Sequence, residues 1–108
     1  MLIDMVNLRL SAQRALLWNV FPKLRAVCVD SKENRIYVCF YCDGEISEED
    51  KELCESVLDD IIADFFITKE EDRIEFETPI IRMDYPKKML LNGIWVFYRN
   101  EDTSRYID

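Results

Sequence analysis

Two stretches of alternating apolar residues, Leu24 to Asp30 and Arg35 to Cys42, lie on either side of four polar residues, Ser31 to Asn34. Alternation of this kind belongs to an extended chain with a buried face. A polar gap this short cannot hold a crossover, so the two strands should fold back as an antiparallel hairpin. In the first strand Val27 and Val29 share one face, and Leu24, Ala26 and Cys28 the other. In the second, Ile36, Val38 and Phe40 oppose Tyr37, Cys39 and Tyr41. A hairpin alone is marginal in water, so the rest of the chain must cover it.

Ser47, followed by Glu48, Glu49 and Asp50, is a helix start: a capping hydroxyl and then acids in the first turn. Leu53, Val57, Ile61 and Phe65 recur every four residues, joined by Cys54, Leu58 and Ile62. This predicts an amphipathic helix of about five turns. An earlier helix is predicted from a Ser11 cap through Ala12, Ala15, Leu16 and Val20, stopping before Pro22; residues 1–10 either extend it or lead into it. Arg73 to Met83 reads as a strand interrupted at Pro79, which cannot donate to a ladder. Gly93 opens a last strand, Ile94 to Tyr98, and the polar residues 100–108 read as a loose tail. The order α-β-β-α-β-β predicts an α+β fold: a four-stranded antiparallel sheet with two helices on one face.

The 108 residues are one domain's worth, 1–108, long enough for a core without disulfides. Apolar residues at 49% exclude disorder. The start lacks a basic, signal-like region, and no run approaches a membrane span. The expectation is a cytoplasmic protein with no membrane contact. Cys28, Cys39, Cys42 and Cys54 lie within apolar segments and read as buried thiols.

Most catalytic and metal chemistries lack their residues. There is no histidine, which removes the commonest base near neutral pH, the Ser-His-Asp and Cys-His arrangements and mixed Cys/His zinc sites. Cys39 and Cys42 have the C-x-x-C spacing, but the pair ends a strand and an extended chain sends the two thiols to opposite faces. No second C-x-x-C completes a four-cysteine zinc site. The segment Asp43 to Asp50 resembles the back of an EF-hand loop, but Cys39 and Tyr41 would occupy the first ligand positions, where calcium needs oxygen donors. The expectation is no cofactor, no metal, no catalytic residue and no enzymatic activity.

What remains is a charge pattern. The net charge is −8, and between Asp43 and Asp64 ten acids face a single base, Lys51. At about 100° per residue Glu48, Glu52, Glu55 and Asp59 form one stripe, flanked by Glu49 and Asp60. Like charges at i, i+4 each cost a few tenths of a kcal/mol, and acids in the C-terminal half oppose the helix dipole. A local rule broken without compensation marks function. Such a stripe attracts a basic protein partner and repels nucleic acid. Tyr37 and Tyr41, on a sheet face left open by the helices, are candidate anchors beside Glu48, Glu52, Glu55, Asp59 and Asp60. The alternative is a general interaction or scaffold domain, monomeric or homodimeric, joined through the open face or an edge strand.

Three segments carry a resemblance: Arg14 to Val27, Phe40 to Asp50 and Ile81 to Pro86. Over roughly residues 11–99 the chain resembles the immunity proteins of contact-dependent growth inhibition and related polymorphic toxin systems. Trp18 departs from the pattern, standing where a small residue is expected. The resemblance implies a protein that neutralises a cognate toxin domain, often a nuclease. It assigns no binding residues.

Overall fold

The computed structural model describes residues 3–65, 73–90 and 93–108. The elements run α1 (Met5–Leu16), β1 (Leu24–Lys32), β2 (Arg35–Cys42), α2 (Glu48–Asp64), β3 (Glu75–Glu77), β4 (Ile80–Arg82) and β5 (Ile94–Tyr98), followed by a single 3-10 turn, Thr103–Arg105.

The hairpin forms as the alternation requires. β1 and β2 pair antiparallel from Lys32–Arg35 at the turn to Leu24–Cys42 at the open end. Glu33 takes the positive φ, 56°, that tight two-residue turns demand. β5 adds antiparallel to the other edge of β1. The predicted third strand breaks at Thr78 and Pro79 into β3 and β4, which pair with successive stretches of β2. Both run parallel to β2, because the chain has crossed over through α2 before returning. The α+β class therefore holds, but the sheet is five-stranded and mixed, not four-stranded and antiparallel.

Both helices contribute to one core on one side of the sheet. Leu8, Ala12, Ala15 and Leu16 of α1 and Cys54, Val57 and Ile61 of α2 cluster with Val27, Val29, Ile36, Val38 and Phe40. Leu24 also joins this side, contrary to simple alternation, because the pairing shifts at Arg25 and turns the strand over. A second shift between Val27 and Cys28 places Phe97 with the helical core and Trp95 on the opposite side. That opposite side holds Ala26, Cys28, Cys39, Tyr41 and Met89. Cys39 and Cys42 thus do fall on opposite faces, and all four cysteines are buried thiols. Burial pushes the Cys42 thiol up to about 11 and that of Cys54 to about 12, so neither offers a thiolate near neutral pH.

The first helix differs from its prediction at both ends. Asp4 is the cap, its carboxylate accepting from the Val6 N–H at 2.9 Å, so Met5 to Leu10 belong to the helix. Ser11 is buried in mid-helix, and α1 stops at Leu16 instead of running to Val20.

Residues 100–108 are likewise not a loose tail. The Ile107 N–H donates to the Pro86 carbonyl (3.0 Å), the Lys88 N–H donates to the Ile107 carbonyl (2.7 Å), and the Tyr85 hydroxyl donates to the Asp102 carbonyl (2.9 Å). Composition misleads here because one polar side chain, Glu101, is paired with the buried Arg25 and the backbone on either side of Tyr106 is hydrogen-bonded to the rest of the chain.

Candidate partner-binding surface

The acidic stripe is built on a well-anchored helix. The Ser47 hydroxyl accepts from the Asp50 N–H at 3.1 Å, and Glu48, Glu49 and Asp50 fill the first turn, where the dipole favours anions. Cys54, Val57 and Ile61 lock the opposite side into the core. Glu48, Glu52, Glu55, Asp59 and Asp60 are all exposed. Among the described contacts, only Glu48 of these five has an ionic partner, Lys51 at 3.3 Å, and the pair is solvent-exposed. The last turn contains no base.

Asp64 is different. It accepts from the Ser11 hydroxyl (2.6 Å) and pairs with Arg14 (2.6 Å), tying α2 to α1. These contacts, Ser11 first and then Arg14, hold its carboxyl below the usual carboxylate range. Its place on the apolar side of the helix is thereby explained, and it is not part of the free stripe.

The two tyrosines are not brought together with the acids, since they lie across the sheet. Tyr41 is only 4% exposed; its hydroxyl donates to the Leu90 carbonyl (2.8 Å) and its ring lies 6.4 Å from that of Trp95. Burial above all pushes its phenol up to about 12. It is a core residue. Tyr37 is half-buried, and both tyrosines line one hollow of about 280 Å³ with Cys28, Asp30, Lys32, Cys39, Pro79 and Ile81.

The sequence reading missed the strongest electrostatic feature. The Arg25 side chain is fully buried, and its guanidinium forms a bidentate pair with Glu101 (2.9 Å twice). It also donates to the carbonyls of Met83 (2.5 Å) and Lys87 (2.8 Å) and lies 5.7 Å from the ring centres of Tyr85 and Tyr106. Arg99 bridges Glu101 and Asp43, and the Tyr106 hydroxyl donates to Glu101. Burial alone would raise the Glu101 carboxyl, but Arg25 and Tyr106 outweigh it and hold it low. The available signal was a lone arginine inside an apolar strand, which must find a buried carboxylate or pull itself out.

Among the described residues no group of three or more His, Cys, Asp or Glu side chains is placed to hold a metal ion. None of the helices there is long and apolar enough to cross a membrane. The surface that stands out is thus a rigid helix presenting an unneutralised row of carboxylates. A family model described as MafI2 immunity protein matches residues 5–101, from the first residue of α1 to the buried Glu101. The chain belongs to the MafI2 immunity protein family. No curated protein matches it. Membership agrees with the resemblance carried by the Arg14–Val27, Phe40–Asp50 and Ile81–Pro86 segments, and it connects the chain to toxin immunity.

Proposed function

We propose that this MafI2 family protein binds and neutralises a cognate toxin domain without catalysis, steered by the acidic outer face of α2. The observation that carries the reading is the row Glu48, Glu52, Glu55 and Asp59, flanked by Asp60, exposed on a helix whose inner face is fixed in the core. Carboxylates left unpaired on a rigid element raise the local concentration of a basic partner and orient it, at little cost in desolvation before contact. A nuclease is the toxin class this face suits best, because its site must be basic to hold phosphates. Carboxylates laid over such a site compete with the nucleic acid for the same cations.

The alternative, a homodimeric scaffold joined edge to edge, has less support. One sheet edge is broken at Pro79, and the other, β5, carries a bulge; both features discourage strand addition. The test is co-expression with the C-terminal domain of a large secreted protein encoded beside this chain, where there is one. Growth rescue with a co-purifying complex is the expected result. Failure of both rescue and binding would contradict the proposal for that pair.

A further inference from the structure

The helical layer presents two chemically distinct strips. On α2 the acidic line Glu48, Glu52, Glu55, Asp59 continues at the same helical spacing into Ile62, which is exposed. On α1 the outward line is Val6, Leu10, Gln13 and Leu17, three of them large apolar residues that remain exposed. No acid occurs between Met5 and Phe21. The two helices share one core over the same sheet face and are clamped together by Ser11, Arg14 and Asp64. The apolar line of α1 and the acidic line of α2 are thus carried by one two-helix layer, with the Arg14–Asp64 pair between the helices.

The apolar strip ends in Trp18, which is 97% exposed and has φ 74°. This residue follows the C-terminus of α1, at the position where helices ordinarily place glycine to enter the left-handed region. A side chain with a Cβ is strained there. The conformation is imposed by its neighbours. The Leu17 N–H donates to the Arg14 carbonyl (3.2 Å), the Asn19 N–H donates to the Leu16 carbonyl (3.0 Å), and the Asn19 side-chain amide donates to the Ala15 carbonyl (2.8 Å). A strained backbone that holds an indole out in water gains nothing from burial of that ring in its own fold. Strain at an over-determined position points to function, and tryptophan is the side chain most enriched among residues that dominate binding energy.

We infer that Trp18, with Leu17 and the α1 line, is the apolar anchor of the interface whose steering half is α2. The occupant is a face of the cognate toxin in which an apolar cleft borders a basic rim: the rim meets the α2 carboxylates and the cleft takes the indole. This inference rests on the immunity reading and adds the residues that set residence time. Charge complementarity fixes the occupant's chemistry, since a uniformly basic surface would leave the α1 strip in water and a uniformly apolar one would bury the carboxylates unpaired.

The test compares wild-type protein with Trp18→Gly and Leu17→Ser against a catalytically inactivated toxin domain, by surface-binding kinetics and thermal melting. Trp18→Gly should dissociate at least about tenfold faster with association little changed, and should melt about 4 °C or more higher because the strain is relieved. Leu17→Ser should dissociate faster without melting lower. If wild type binds and Trp18→Gly dissociates at the wild-type rate, the anchor is overturned while immunity stands. A lower melting temperature for Trp18→Gly would make Trp18 a structural residue and overturn the anchor as well. If wild type itself does not bind, both readings fall.

Discussion

The outer face of α2 and the Arg25 pocket treat charge in opposite ways. In the pocket every charge has a partner: Arg25 with Glu101, Arg99 with Glu101 and Asp43, and the Tyr106 hydroxyl on Glu101. On the outer face of α2 the acids stand in a row whose one ionic contact among the described residues is the exposed Lys51. The first region is closed, and its charges hold the chain's own last residues against the 83–88 segment. The second is left open, and its acids beyond the first turn repel one another and oppose the dipole of the helix that carries them. Charge satisfied within the chain builds the fold. Charge left unsatisfied at a rigid position is available to another molecule.

The comparison breaks most visibly in the pocket. Glu101→Ala leaves a buried guanidinium without its carboxylate and should cost about 3–5 kcal/mol. A loss that large takes much of the stability of a domain this size, and chemical denaturation read by tryptophan fluorescence would measure it. Tyr106→Phe, which removes one charge-assisted bond to Glu101, should cost about 1.5–3 kcal/mol in the same assay. An Arg25 pocket indifferent to both changes would not be the closed region described.

Ser11→Ala should cost about 1–2 kcal/mol, since it removes the hydroxyl donor to Asp64 between the helices. On the open face the sign should reverse. Asp59→Lys turns a repulsive i, i+4 contact with Glu55 into an attractive one and places a cation in the C-terminal half of α2. The gain should be about 0.5 kcal/mol. A destabilised Asp59→Lys would mean that the stripe serves the fold after all.

Acid titration probes the carboxylates whose partners lie within the fold. The carboxyl of Glu101 is held below its usual range in the folded protein, and that of Asp64 likewise. A depressed folded value means that the unfolded chain binds protons first as pH falls. The stability these groups supply is therefore complete above the ordinary carboxylate range, about pH 4–5, and is lost as pH drops through it towards the lower folded values. Glu101→Gln should flatten this acid limb in denaturation curves recorded from pH 7 to pH 3.

Much of this was legible in the sequence. The hairpin follows from the alternation of Arg35 to Cys42 against Leu24 to Asp30, and α2 follows from the Ser47 cap and the four-residue recurrence of Leu53, Val57 and Ile61. The break at Pro79 was also visible. The direction of the strands after α2 was not, because apolar patterning records which face is buried and not which way the chain runs. The two pairing shifts were equally hidden: a bulge moves Leu24 and Phe97 to the other face without changing composition. Ser11 reads as a cap in the sequence because serine favours caps, whereas its partner, Asp64, is 53 residues away. Of the candidate site, the acidic row was legible from spacing alone, while the burial of Tyr41 was not, because the cover over its face comes from Met89, Trp95 and the carbonyl of Leu90.

The central claim is that the α2 carboxylates steer a basic toxin to this protein. Its most direct test is the association rate constant, measured by stopped flow across a range of ionic strength, for wild type and for the triple variant Glu52→Lys, Glu55→Lys, Asp59→Lys. Wild-type association should slow steeply as salt rises. The variant should associate at least about tenfold more slowly at low salt and show almost no salt dependence. Equal rates and equal salt slopes for the two proteins would contradict the account.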